Sequence, residues 1–264
     1  MNMRLDSAHY FGRLEIMSGS GRTRAEGWKF AKVDGHANEE LFGQFLESNT
    51  HRIEELKRHF PNKELQGDPT IRVDGSKHVS SILGDTTTSK VDITLEWKSG
   101  DYLNISLKKS NSGQVWLISV PRFISAIEHY LNHALHEDVK KGISLFIGGV
   151  ELSRYENEFA TTLLLDETKR PEISRLESHQ QRLVADSLRA NFSKEWDATL
   201  SFFNENIGLI TRLSFANGLA VGEEDFAEII VYNKELTNNV FVIEDIVRKV
   251  EKSVEGSPIK AGTK

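Results

Sequence analysis

Length, composition and charge exclude several classes of protein. The 264-residue chain is long enough to bury a sizeable core, as one large domain or as a core with an added lobe. It contains no cysteine, which excludes disulfides and thiolate zinc sites and suits a reducing cytoplasm. The net charge of −6 argues against a protein that coats nucleic acid, so any nucleic-acid surface would need its basic residues concentrated locally.

Such a concentration is present in the first 34 residues, where six Lys and Arg stand against four acids. Arg22 and Arg24 lie there in a stretch rich in glycine and serine. A flexible basic stretch can follow a phosphate backbone, and it is equally typical of a surface loop with no such role. Both interpretations of Arg22 and Arg24 stay open at this stage.

Two helices are predicted next, over residues 35–48 and 52–60. Asp34 suits the N-cap of the first, and apolar residues then recur at helical spacing. Glu39 falls at the margin of this apolar stripe, from which a carboxylate can reach into a site, whereas Glu40 points to solvent. An ordinary first-turn glutamate, favoured by the helix dipole, is the alternative interpretation of Glu39.

Weak strand patterns at 71–73 and 79–83 precede a β-hairpin predicted over residues 91–114. Pairing across its polar, glycine-containing turn places Asp92 opposite Lys108, to within one residue, on the end of the hairpin away from the turn. A carboxylate beside an ammonium group at a strand end suits metal-dependent phosphodiester chemistry. The acid would hold a divalent cation, and the lysine would orient water and offset phosphate charge. A surface salt bridge is the alternative.

An amphipathic helix with proline in its first turn is predicted over 121–135, and a strand buried on both faces over 142–147. His129, His133 and His136 share one face of that helix, at a spacing that zinc-binding histidines also use. It is the face opposite the apolar residues, so we expect solvated histidines and no metal site there.

The pattern predicts an α/β chain in three parts: a core with a basic N-terminal segment over 1–150, a mostly helical elaboration packed on it over 151–254, and a flexible tail over 255–264. Within the elaboration, apolar residues recur at helical spacing over 173–203, and a strand at 227–232 and a last helix over 241–250 follow. No apolar stretch approaches membrane-spanning length and no signal-like segment is present, so a cytoplasmic protein without a membrane partner is expected.

The hairpin resembles the signature of the PD-(D/E)XK nuclease superfamily, and of type II restriction endonucleases in particular. That signature is an acid at a strand end followed by acid-x-Lys on the next strand, and here it stands as Asp92, thirteen residues, then Ser106-Leu107-Lys108. Val91 replaces the usual proline. Ser106 replaces the second acid, and a hydroxyl is a poorer ligand for a hard cation than a carboxylate. The predicted order over about residues 30–150 (helix, strands, hairpin, helix, buried strand) is that of the superfamily core.

The resemblance implies a restriction-endonuclease-like fold, a central mixed sheet flanked by helices, and a Mg²⁺-dependent DNA endonuclease in which Mn²⁺ can substitute. Asp92 and the backbone carbonyl of Leu107 would bind the metal. Glu39 would supply a second carboxylate, partly compensating for Ser106. Lys108 would position the attacking water and offset the charge that develops on the phosphate.

The resemblance also implies contacts with double-stranded DNA, for which Lys109, Gln114, Arg22 and Arg24 are the predicted residues; helix capping or simple exposure is the alternative for Gln114. A type II restriction enzyme is the most specific expectation, with a homodimer and a partner methyltransferase as its expected associations. A phage or repair nuclease of the same superfamily comes next. A catalytically inactive module that binds DNA or protein on the same fold is the alternative that Ser106 favours.

Overall fold

The computed structural model describes residues 38–75, 77–108, 118–147, 189–190, 192–234 and 237–258. They belong to two compact units. The first contains the described residues up to Lys108 together with Thr211–Val247, and the second contains those from residue 118 to Ile210 together with residues 248–258.

The described strands all belong to the first unit. In chain order they are β1 (Thr70–Val73), β2 (His78–Ser80), β3 (Thr86–Thr88), β4 (Ile93–Glu96), β5 (Tyr102–Lys108), β6 (Ile229–Lys234) and β7 (Thr237–Val242). Five of them form a mixed sheet in the order β1-β4-β5-β6-β7, and β2 and β3 form a separate antiparallel pair. Neighbours in the large sheet are antiparallel except β5 and β6, which are parallel.

The described helices are α1 (residues 38–47), α2 (Thr50–Lys57), α3 (Val120–Leu131), α4 (Glu137–Ile147), α5 (Ser193–Glu205), α6 (Ile207–Arg212) and α7 (Ile243–Gly256). A π-helical turn at Leu213–Asn217 follows α6, and a short 3₁₀ turn at Glu223–Asp225 precedes β6. None of these helices combines the length and the apolar character that crossing a bilayer requires.

Helices α1 and α2 cover one face of the sheet, because the alternate residues of β4 and β5 that point to this side are apolar. These residues are buried with the apolar sides of the two helices, in a cluster that includes Phe42, Leu46, Ile53, Leu56, Ile93, Leu95, Leu103, Ile105 and Leu107. The α/β class and the helix-flanked mixed sheet are therefore as predicted.

The opposite face is covered by the π-helical turn and the first turns of α7. Its apolar cluster comprises Val91, Ala216, Ala227, Ile230, Ile243 and Val247. The polar members of β5 (Asn104, Ser106 and Lys108) alternate with Leu103, Ile105 and Leu107 and so lie on this side of the sheet. Any chemistry of the hairpin therefore belongs to this face.

The strand predicted over 142–147 is wrong, because those residues form the second half of α4 in the second unit. A short apolar run has the same composition in a buried strand and in a buried helix, and periodicity over six residues does not separate them. Gly142 lies where α4 meets α5: a Cβ there would collide with the Thr199 hydroxyl and the Glu195 carbonyl. The glycine thus permits close helix packing and does not bound a strand.

The sheet also crosses the boundary predicted at residue 150. Its last two strands come from residues 229–242, inside the part predicted as a mostly helical elaboration. The strand predicted at 227–232 is confirmed as β6, and the last predicted helix is confirmed as α7, which begins at Ile243. Strands β3 and β7 were not predicted. Residues 151–188 and 259–264 lie outside the described part of the chain.

Candidate functional site

The β4–β5 hairpin is confirmed, but its register differs from the prediction. Trp97 N–H donates to the Asp101 carbonyl at 2.9 Å, and Gly100 between them has φ +91°. This tight turn pairs Ile93 with Ile105, so Asp92 stands opposite Ser106 and not opposite Lys108. The shift is two residues, one full strand period, and it leaves every side chain on its predicted face.

The backbone of Asp92 is fixed on both sides of the residue. Its N–H donates to the Ile105 carbonyl at 2.9 Å, and its carbonyl accepts from Asp74 N–H at 3.0 Å. The bond to Ile105 is shifted by one residue from the regular pairing of β4 with β5, in which Ile105 is the partner of Ile93. This shift marks a β-bulge where β4 begins. A bulge re-aims the side chain that it carries, and here it turns the carboxylate toward β5.

Three groups of β5 converge on one oxygen of this carboxylate. Asp92 Oδ2 accepts from Leu107 N–H at 2.6 Å and from the Ser106 hydroxyl at 3.2 Å, and Lys108 Nζ lies 3.6 Å away. Lys108 Nζ also donates to Ser106 Oγ at 2.7 Å. The Asp92 side chain is 17% exposed and that of Lys108 25%, so solvent and a ligand can reach the pair.

Ser106 is fully buried and bridges the two charged residues. Its hydroxyl donates to Asp92 and accepts from Lys108, so the hydrogen and one lone pair of this oxygen are engaged. In this arrangement Ser106, which stands where the second acid was expected, links the two charged side chains. It holds the lysine at a defined distance from the aspartate.

The donor set at Asp92 fits a hard cation of the Mg²⁺ type. Within the described residues, every bond to the carboxylate falls on Oδ2, which leaves Oδ1 for a ligand. Because the N–H and C=O of one strand residue point to the same side, the Leu107 carbonyl faces β4 as its N–H does. Mg²⁺ commonly binds through one or two carboxylates and completes its shell with water and substrate phosphate oxygens.

A second lysine, Lys90, interacts electrostatically with Asp92 and Lys108 and was not predicted. The pKa of Lys90 is lowered to about 8, chiefly by burial and then by the charge of Lys108, while the charge of Asp92 acts in the opposite direction. Its aliphatic chain lies over Gly218, where a Cβ would stand 3.1 Å from Lys90 Cε. Lys90 precedes Asp92 by two residues and belongs to no motif. Its spacing from Asp92 was the only sequence signal.

Glu39 and Glu40 occupy different environments on α1. Glu39 is half-buried and Glu40 is exposed, as the apolar stripe predicted. The helix packs into the cluster that contains Leu107, on the face opposite Ser106 and Lys108. A carboxylate from α1 would therefore have to approach Asp92 around the end of the strands. The metal-binding role of Glu39 stays a prediction.

The four predicted DNA contacts (Arg22, Arg24, Lys109 and Gln114) lie outside the described residues. The three histidines are exposed as expected, although α3 ends at Leu131 and carries only His129. Within the described ranges, no three His, Cys, Asp or Glu residues are grouped so that they could hold a metal ion.

No protein-family model matches this chain, and no curated protein matches it. Its function is therefore inferred from the chemistry of the hairpin and from the sheet that carries it.

Proposed function

We propose that the protein is a Mg²⁺-dependent DNA endonuclease with a restriction-endonuclease-like core. One observation carries the proposal: Asp92, the Leu107 backbone and Lys108 converge at the open end of the β4–β5 hairpin, with Lys108 Nζ 3.6 Å from Asp92 Oδ2. An acid at a strand end beside the lysine of an acid-x-Lys triplet on the next strand is the arrangement that the nuclease resemblance implies, and Ser106 stands here in place of the second acid.

The topology supports the proposal. Helix, antiparallel strands with the catalytic hairpin, helices and a strand parallel to β5 follow one another along the chain. This is the order that the resemblance implied, although the parallel strand comes from 229–234 and not from 142–147. The larger part of the second unit is inserted between β5 and β6 in sequence.

Asp92 through Oδ1, the Leu107 carbonyl and Glu39 are the residues that would hold the metal. A bound Mg²⁺ supplies Lewis-acid activation of a phosphate oxygen and a more acidic water. The chain supplies the rest. Ser106 fixes the distance between Lys108 and Asp92, and the Lys108 ammonium orients the attacking water and offsets negative charge on the phosphate.

The test is plasmid cleavage by the purified protein in Mg²⁺, in Mn²⁺ and in EDTA, with Lys108→Met as the site variant. We expect nicking only with a divalent ion, and a loss of about 10²–10³-fold in rate for Lys108→Met, the usual cost of removing one preorganised electrostatic group. Cleavage that persists in EDTA, or a wild-type rate for Lys108→Met, would contradict the assignment.

The second candidate is a binding module on the same fold without catalysis. It is favoured by Ser106, whose hydroxyl is engaged by Asp92 and Lys108 where a second acid was expected. Such a protein would shift a DNA duplex equally well in EDTA and in Mg²⁺ and would nick neither strand.

Two more specific functions are proposed within the endonuclease class. The first is a type II restriction enzyme, which would act as a homodimer beside a methyltransferase of the same specificity, and the second is a phage or repair nuclease. Mapping the ends that the protein produces on a plasmid of known sequence separates them. One repeated site identifies a restriction enzyme, and dispersed or structure-dependent ends identify the other class.

A further inference from the structure

We infer that the protein forms a dimer through β1, which lies at one edge of the five-stranded sheet and pairs antiparallel with β1 of a second copy. The location of this surface rests on β1 and the residues beside it. The consequence for the two candidate sites rests, in addition, on the proposed function.

The outer edge of β1 offers backbone groups for such pairing. Asp74 N–H donates to the Asp92 carbonyl at 3.0 Å, and Arg72, two residues before it, also turns its backbone groups to β4. Since the backbone groups of successive strand residues point to opposite sides, those of Ile71 and Val73 point away from β4. Within the described residues these outward groups have no hydrogen-bond partner, which is the state of an open sheet edge.

An exposed valine stands at the centre of this edge. Val73 is 40% exposed, although most large apolar side chains of the described residues are covered. It lies on the side of the sheet that α1 covers, and a Cβ on Gly43 of that helix would stand 2.8 Å from Val73 Cγ2. Its neighbour Ile71 packs on the apolar cluster beneath α1 and α2. A second Val73 opposite the first would cover the exposed part and extend the buried apolar face across both copies.

Charge selects one register among those that a two-fold pairing of β1 allows. Hydrogen-bonded pairs must join outward-pointing residues, so Val73 faces itself, Ile71 faces itself, or the two face each other. Pairing Ile71 with Val73 sets Arg72 opposite Arg72, and pairing Ile71 with itself sets Asp74 opposite Asp68. Like charges directly opposite each other destabilise both of these registers. Pairing Val73 with itself sets Arg72 opposite Asp74 of the second copy, twice.

Both members of this charged pair are accessible. The side chain of Arg72 is 52% exposed and that of Asp74 is 30% exposed. Within one chain Arg72 contacts Glu96 at 3.0 Å, whereas its Nε atom lies 3.8 Å from Asp74 Oδ2. Asp74 can therefore accept a closer hydrogen bond from Arg72 of a second copy, which stands opposite it in a non-hydrogen-bonded pair, where the side chains of two strands are closest. This charge complementarity identifies the occupant of the edge as a second copy of the chain.

The pairing would bring two candidate sites to one face. A two-fold axis perpendicular to the sheet keeps each face continuous, so both Asp92 carboxylates lie on the same side. Asp92 is one strand away from Asp74 of β1. Three strand spacings of about 4.8 Å, or about 15 Å, therefore separate the two sites across the strands. Under the proposed function, one dimer would cut both strands of a duplex in one binding event.

The first experiment measures the association of the 264-residue chain by sedimentation equilibrium over a wide range of protein concentration. Val73→Pro removes the outward N–H, and an edge strand accepts proline when its nitrogen faces solvent. Thr88→Pro is the matched control on β3. Ser89 N–H donates to the Lys77 carbonyl, so the N–H of Thr88 likewise points away from the neighbouring strand β2.

We expect wild type and Thr88→Pro to form the same dimer. Val73→Pro should associate at least about tenfold more weakly, because the two reciprocal hydrogen bonds at the centre of the interface are lost. A wild type that stays monomeric, or a folded Val73→Pro that dimerises as wild type does, would overturn the inference.

An exchange of charges tests the register independently. Arg72→Asp and Asp74→Arg each set like charges opposite each other in a homodimer, so each variant alone should be monomeric. In a mixture of the two variants every such position faces its opposite charge, and a heterodimer should form with about the wild-type affinity. Urea unfolding checks that each variant is folded. Single variants that dimerise as wild type does, or a mixture of folded variants that stays monomeric, would contradict the pairing.

The two proposals fail separately. Dimer formation needs neither DNA nor metal, so a wild type that dimerises and never cleaves keeps the interface and excludes the endonuclease. If wild type cleaves, Val73→Pro should nick a supercoiled plasmid more than it linearises it, because its two sites no longer act together. A wild-type ratio of linear to nicked product from a monomeric Val73→Pro would contradict the joint action of the two sites and leave the nuclease in place.

Discussion

Asn104 and Ser106 are neighbours on the same face of β5, both fully buried and both polar, yet their surroundings differ. Asn104 is completely hydrogen-bonded. Its amide nitrogen donates to the carbonyls of Glu224 at 2.8 Å and Phe226 at 3.0 Å, and its amide oxygen accepts from the Thr94 hydroxyl at 3.0 Å. Its backbone N–H donates to the Glu228 carboxylate at 3.2 Å, 124 positions along the chain.

The charged groups beside the two residues also differ. The Glu228 carboxylate beside Asn104 pairs with Lys63 at 2.6 Å, one anion with one cation. Ser106 instead lies between Asp92 and Lys108, and its hydroxyl is hydrogen-bonded to both charged side chains. Asn104 and its partners form a closed network, in which each polar group of the Asn104 side chain is paired within the protein. Asp92, Ser106 and Lys108 form an open network, because the two charged side chains are partly exposed and can meet a ligand. The two residues are equally buried, so the difference lies in their hydrogen-bond partners.

The largest effect on activity is expected from Asp92→Asn. A neutral amide loses most of the attraction for a divalent cation, so cleavage should fall by at least about 10³-fold, the upper end of the range for a single electrostatic group. The fold and DNA binding should persist, and binding should tighten because one negative charge near the phosphates is gone. Plasmid nicking and duplex anisotropy measure the two properties. Wild-type turnover by this variant would mean that the open network is not the catalytic one.

Asn104→Ala should have the opposite effect: it should lower the stability of the fold and leave cleavage unchanged. It leaves the Glu224 and Phe226 carbonyls without their donor in a buried place, which should cost about 2–4 kcal/mol in the free energy of unfolding. Cleavage per folded molecule should remain. Urea denaturation with an unchanged m-value gives the first quantity, and activity below the transition gives the second. A loss below about 1 kcal/mol would show that the closed network does not hold the strands together.

Ser106→Ala should have an intermediate effect on activity. Removing the bridge frees Lys108 without removing its charge, so the cleavage rate should fall by about 10–100-fold, as for partners that orient a functional group. The slope of log K for DNA binding against log salt concentration should stay at its wild-type value, because no cation is lost. A rate equal to that of Lys108→Met would instead assign the hydroxyl a direct role at the reacting phosphate.

The smallest expected difference is between Glu39→Gln and Glu40→Gln. Glu39 is half-buried on α1 and Glu40 is exposed. Glu39→Gln should reduce Mg²⁺-dependent cleavage by about tenfold, since an outer metal partner is worth about 10–100-fold, and Glu40→Gln should not change it. Equal rates would make the role of α1 purely structural.

The sequence predicted the hairpin and its two charged residues because strand alternation and a glycine turn are local signals. It did not predict the register, because only the backbone of the turn around Gly100 decides how many residues the loop takes. It placed the last strand at 142–147 because a buried strand and a buried helix share one composition. What distinguishes them is packing against α5 through Gly142, which is a long-range contact.

Lys90 was missed for a related reason. Its surroundings depend on the loop at Gly218, which lies far along the chain and is hydrogen-bonded to the segment that contains β2. The bridging role of Ser106 was not predictable either, because it required the positions of three side-chain atoms. Residue types and spacings indicated the kind of chemistry, whereas tertiary contacts determine which residues lie together at the site.

The parallel pairing of β5 with β6 joins residues 124 positions apart, and this separation has a consequence for how the protein is made. While the ribosome synthesises the second unit, β5 has its β4 partner but an unpaired outer edge rich in buried residues. Non-local pairings of this kind slow folding and leave strand edges open to other nascent chains. A nonsense mutation between these strands would therefore produce an aggregating fragment, even though every residue of the β4–β5 hairpin had been translated.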